Sequence, residues 1–119
     1  MSWLAVFIGG GIGSLMRFGV SKLSLLLFPT KLPLGTFLSN LISCLIIGLA
    51  LGVFKDKMDS SENLYFLLII GLCGGFSTFS TFSYESIKMI QDGMVLYALL
   101  NVLFSVLFCF GIIWYMTKT

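Results

Sequence analysis

Apolar residues fall into four runs along the chain, at approximately residues 3–27, 34–54, 64–90 and 94–116. A bilayer core is about 30 Å thick and takes about 20 predominantly apolar residues per helix, so each run is long enough to cross once. The segments between them punctuate clearly. Phe28-Pro29-Thr30-Lys31-Leu32-Pro33 carries two prolines around a lysine and reads as the first turn. Lys55 to Asn63 holds five of the twelve charged residues and reads as a solvated connector, and Gln91-Asp92-Gly93 makes the last turn. The pattern predicts an all-α membrane protein, with four transmembrane helices forming a single domain over residues 1–119.

Polar and small residues inside the runs are spaced as on helices. In the first, Gly9 and Gly13, and beside them Gly10 and Ser14, repeat every four residues, a pattern that lets a second backbone approach closely. Arg17 follows well inside the apolar stretch, where it either snorkels to the interface or turns inward and shapes the potential of an anion path. In the second run Thr36, Asn40 and Ser43 form one polar stripe beside a small-residue strip of Cys44, Gly48 and Gly52. Asn40 can serve as an interhelical hydrogen-bonding residue or as a donor to a passing anion. In the fourth, Tyr97, Asn101, Ser105 and Cys109 make a second polar seam, and Trp114-Tyr115 supplies an interfacial aromatic end.

The third run is exceptional. Gly74-Gly75-Phe76-Ser77-Thr78-Phe79-Ser80-Thr81-Phe82-Ser83-Tyr84-Glu85 joins adjacent glycines to a row of hydroxyls and a phenylalanine at every third position. Glycines weaken the helix where hydroxyls can re-satisfy the freed backbone, which predicts a third helix broken in mid-membrane. Such a break persists only where it is buried in protein or lines a polar cavity. A half-helix starting there presents N–H groups to an anion, and the half that ends presents carbonyls to a cation. Phe76, Phe79 and Phe82, three apart, are expected to share one face, either as packing or as the lining of a path.

Composition narrows the class further. At 58% hydrophobic and 10% charged, with mean hydropathy +1.07, a water-soluble fold is excluded. The net charge of +2 contains no basic run, so nucleic acid is not an expected partner. With no histidine and three cysteines (Cys44, Cys73 and Cys109) inside apolar runs, zinc, haem and iron–sulfur chemistry are not expected, and the cysteines read as packing residues. No nucleophile–base constellation suggests an enzyme. The N-terminus lacks a positive n-region and cleavage site, so the first span is expected to remain in the mature protein. Lysines divide three against three between the two sides, with Arg17 adding at most one, too small a bias to dictate one orientation. A chain inserted both ways can pair with itself antiparallel about an axis in the membrane plane. Four short helices also enclose too little space for an aqueous path without a second copy.

The spans offer amide, hydroxyl and phenolic donors and positive ring edges, with almost no acidic group, an inventory that favours a small dehydrated anion. Among halides, fluoride fits best as the strongest acceptor. Glu85 is the one carboxylate near the track, two turns past the break, and can pair with Lys88. Together, Gly-Gly-Gly-Ile-Gly-Ser-Leu-Met-Arg-Phe in the first span, Gly35-Thr36-Phe37-Leu38-Ser39-Asn40 in the second and Gly74 to Ser83 in the third resemble the Fluc (CrcB) fluoride channels, over essentially the whole chain.

The resemblance implies an antiparallel, dual-topology homodimer in the cell membrane (inner or plasma) that exports fluoride passively through two pores and protects against its toxicity, with a structural Na+ at the dimer interface. It implies that Asn40 is the pore asparagine with Thr36 one turn before it, and that Phe79 and Phe82 turn ring edges to fluoride beside the hydroxyls of Ser80 and Thr81. Ser105 would be the seam serine, with Tyr97 a further match. Arg17 matches the first-span arginine and Glu85 the acidic residue after the motif. Gly74 and Ser77 would give backbone carbonyls to Na+; Ser77 stands where the family more often has threonine. Rival readings are a small multidrug resistance transporter, which needs a glutamate that the first span lacks, and a structural membrane subunit, for which Asn40 and the phenylalanines only pack.

Overall fold

The computed structural model describes residues 2–28 and 33–118. The described residues contain no strand, and four of their helical stretches are long and apolar enough to cross a membrane: Ser2–Leu27, Leu34–Val53, Glu62–Gln91 and Val95–Thr117. The expected spans are therefore present to within about two residues at each end. The protein is a multi-pass membrane protein.

The first span is α1 (Ser2–Leu27). The second is α2 (Leu34–Gly48), extended by π-helical turns over Leu49–Val53. Most of the first expected turn, residues 29–32, lies outside the described residues. The connector departs from expectation, because Lys55–Ser60 is a short helix, α3, rather than a loop. It contains neither glycine nor proline, and it has one apolar side chain to bury, Met58, which is 5% exposed. Ser61 then caps α4 (Glu62–Tyr65), its hydroxyl accepting from the Leu64 N–H at 3.2 Å.

The third span continues from α4 through π-helical turns over Phe66–Cys73 into α5 (Gly74–Phe76), and resumes as α6 (Phe79–Gln91). Gly93 supplies the positive φ, +85°, that reverses the chain, and α7 (Val95–Thr117) completes the fold.

Small residues hold the bundle together, as a membrane setting requires where lipid is as apolar as leucine. Gly9 and Gly13 of α1 lie directly against the backbone of the third span, and a Cβ on Gly13 would overlap Leu72 O and Phe76 N. Gly75 returns the contact against Gly10. Gly48 and Gly52 do the same for the end of α7, against Met116. The largest fully buried side chains are Phe76, Cys73, Ser39 and Ser43, while Trp3, Phe7, Leu26, Phe110 and Trp114 stand outward. A core of small and hydroxylated residues inside an apolar shell inverts the soluble pattern and suits hydrocarbon surroundings.

Candidate functional site

Between α5 and α6 two residues leave helical geometry: Ser77 at φ −89°, ψ 156° and Thr78 at φ −154°, ψ 125°. Side chains from three helices meet the backbone groups released there. The Thr78 N–H, which in a continuous helix would close on Gly74 O, donates instead to Asn40 Oδ1 of α2 at 3.1 Å. Arg17 Nε of α1 donates to Gly75 O at 3.2 Å, so this arginine turns inward to a partner rather than snorkelling. Thr78 Oγ1 caps α6 by accepting from the Thr81 N–H at 3.3 Å. Cys73 O accepts from Ser77 Oγ at 2.7 Å and from Ser43 Oγ at 3.2 Å.

Asn40 has a specific geometry as a result. An N–H requires an oxygen acceptor, so the contact with Thr78 fixes the amide with its oxygen toward the backbone and leaves both NH2 donors unengaged by this bond. A cleft of about 350 Å³ opens beside it, lined by Asn40, Phe79, Phe82, Ser77, Ser105 and, one helical turn along, Cys44 and Cys109. None of its ten lining residues is charged. The α6 N-terminus, the positive end of that helix, begins at Phe79 on its wall. The Phe79 and Phe82 rings are 6.1 Å apart and tilted by 40°, with Phe79 79% exposed on the outer side of the chain. Ser105 Oγ is buried and has no hydrogen-bond partner among the described residues. The arrangement offers donors to a small anion and no competing negative charge.

Other expected residues lie elsewhere. Thr36 is buried in α2, one turn before Asn40, and does not line the cleft. Ser80 and Thr81 gather around the Thr78 hydroxyl, at 3.2 and 3.5 Å, rather than in the cleft. Tyr97 lines a separate cavity of about 240 Å³ with Phe37 and Asn101, and Asn101 Nδ2 donates to Ser86 Oγ at 3.4 Å. Glu85 borders a third hollow with Lys88 and Asp92, and its Oε1 is buried without a hydrogen bond from Lys88 or any other described residue. Gly74 faces open space.

The phenylalanine stripe needs correction. Phe76 is 1% exposed in the core while Phe79 stands outside, because the extended residues between them rotate α6 out of register with α5. Two residues that line the cleft were not expected there. Cys44 and Cys109 read in the sequence as packing; Ser39, outside the cleft, is fully buried with its hydroxyl unpartnered among the described residues.

A family model described as CrcB-like protein, Camphor Resistance (CrcB), matches residues 4–116, which takes in all four candidate spans. The chain belongs to the CrcB family. Among CrcB relatives, one from Pectobacterium carotovorum subsp. carotovorum is 47% identical over 102 residues, covering 86% of this chain and 80% of its own. One from Serratia proteamaculans is 44% identical over 105 residues, covering 87% and 81%. One from Coxiella burnetii is 37% identical over 115 residues, covering 96% and 93%. All three relatives are named fluoride-specific ion channel FluC, which denotes transport rather than catalysis.

Proposed function

We propose that this chain is a fluoride-specific channel that lets fluoride leave the cell passively, down its gradient, across the cell (inner or plasma) membrane. The observation that carries the reading is the Asn40 clasp. Its oxygen is engaged by the Thr78 N–H, so the remaining donors serve an anion in an uncharged cleft with Phe79, Phe82 and Ser105. Fluoride is small and a strong acceptor, so amide and hydroxyl donors replace more of its hydration than they would for chloride, and positive ring edges complete the shell. In this reading the third span is a helix broken in mid-membrane, with Ser80 and Thr81 continuing the hydroxyl track and Thr36 supporting Asn40 from one turn away. Arg17 holds the break. Glu85 and Tyr97 sit toward the ends of the path.

The conducting unit is a homodimer of antiparallel, oppositely inserted copies with two pores. The near-even lysine distribution supports it, as does the position of Phe79, whose ring projects from a single copy and needs a second one to close around it. A structural Na+ at the centre of that dimer fits the backbone. Among the described residues no group of three His, Cys, Asp or Glu could hold a metal, so a hard cation would rely on neutral oxygens. Gly74 O is released from the helical ladder because the Thr78 N–H donates to Asn40 instead. Gly74 and Ser77 from each copy would hold the ion and tie the two breaks together.

The test is fluoride efflux from proteoliposomes followed with a fluoride electrode. Efflux should be fast, should run without a proton gradient and should ignore chloride; transport that required a proton gradient would remove the channel reading.

A further inference from the structure

Two of the three cysteines are placed together. Asn40 O accepts the N–H of Cys44 in the α2 ladder, and Cys109 Sγ of α7 approaches the same oxygen at 3.7 Å. Cys44 of α2 and Cys109 of α7 are thereby brought to the same level of two packed helices. Both line the cleft that holds Asn40, Phe79 and Phe82, one helical turn beyond Asn40 and Ser105 respectively. Cys73 is not part of this pair; it is 1% exposed and its sulfur is directed to Ser43 O at 3.7 Å.

We infer that Cys44 and Cys109 form a two-sulfur site for a soft, linearly coordinating cation, and that its occupancy closes the cleft. Two thiolates without a third ligand exclude the tetrahedral geometry of structural zinc, and among the described residues no group of three His, Cys, Asp or Glu could hold a metal. Sulfur donors select soft d10 ions such as Hg2+, Ag+ or Cu+. Binding is a proton exchange without redox change: each thiol releases one proton, so one Hg2+ gives a neutral bis-thiolate and two protons. Because the sulfurs follow Asn40 and Ser105 along the same wall, a metal between them occupies the continuation of the anion path.

The experiment uses mercuric nitrate with the full chain, both in detergent and in liposomes. In detergent, thiolate-to-metal absorption should saturate at one Hg2+ per chain with release of two protons. In Cys44→Ser or Cys109→Ser, a competing monothiol should strip the ion at a concentration lower by roughly a hundredfold, since the second sulfur no longer acts at high effective concentration. Cys73→Ser should behave as the wild-type chain. Equal retention of the ion in both single variants, or loss only in Cys73→Ser, overturns the site. In liposomes, Hg2+ should stop fluoride efflux in the wild type and in Cys73→Ser; bound Hg2+ with undiminished efflux overturns the closing role. The efflux arm rests on the fluoride-channel reading, whereas the stoichiometry decides the site whether or not the chain conducts.

Discussion

In the proposed channel Asn40 carries two duties that a single substitution can separate. In Asn40→Asp the oxygen facing Thr78 is retained, so the 3.1 Å bond from the Thr78 N–H survives as a charge-assisted one. The two amide donors vanish, and a negative charge enters a cleft whose ten lining residues are uncharged. Two like charges about 4 Å apart repel by about 4 kcal/mol at an effective dielectric constant of about 20. With about 1.4 kcal/mol per factor of ten, fluoride occupancy beside the introduced carboxylate should fall about a thousandfold. Asn40→Ala differs. It removes the donors without adding charge, and it strands the Thr78 N–H at about 1–3 kcal/mol of stability. Efflux from proteoliposomes, read beside thermal unfolding in detergent, distinguishes the pair. The Asp variant should keep its fold and lose flux, and the Ala variant should lose stability as well as flux. Wild-type flux in Asn40→Asp would refute the assignment of its amide to the anion.

Phe79→Ile and Phe82→Ile should each greatly reduce efflux while the assembled species still elutes as wild type; unchanged flux in both would take the rings out of the path. Gly13→Val should lower the unfolding midpoint by an amount equivalent to about 1–3 kcal/mol or more, since its first added carbon already overlaps Leu72 O and Phe76 N, whereas Gly11→Val, with open space around it, should leave the midpoint unchanged. Arg17→Lys keeps the charge but loses the Nε that reaches Gly75 O; it should reduce efflux and raise amide hydrogen exchange around residues 75–78, and unaltered exchange there would show that the arginine does not hold the interruption.

Much of the architecture was legible because membrane spans are read from length and hydropathy, and because Gly9/Gly13 and Gly48/Gly52 announce where backbones meet. The π-helical stretches at Leu49–Val53 and Phe66–Cys73 were not. Residues 66–70 are apolar on every side, so no periodicity exists in which a change of pitch could appear. The Lys55–Ser60 helix was hidden for the opposite reason: its charges suggested a loop, and only the burial of Met58 reveals the face that orders it. Of the residues singled out from the sequence, Asn40, Phe79, Phe82 and Ser105 line one cleft, and so does Ser77, which was expected to serve a cation instead. The stripe through Phe76 failed because a helical phase cannot be carried across the two extended residues, Ser77 and Thr78.

That interruption also explains why the polar residues are placed where they are. An unmet N–H or C=O away from water costs several kcal/mol, so extended backbone at residues 77 and 78 can stand only if other groups replace the helical ladder. Arg17, Asn40 and the Thr78 hydroxyl come from three different spans, and each takes up a backbone group at or beside the interruption. None could be supplied by the third span's apolar half, and Asn40 performs the service with only one end of its amide. On the proposed channel reading the stability requirement and the transport requirement converge on the same residue: a valine or leucine at position 40 would pack, but it would leave Thr78 unpaired and the cleft without its donor. A site organised this way predicts that side chains able to meet Thr78, such as aspartate, preserve the fold at position 40, while only a side chain that also presents a neutral donor preserves flux.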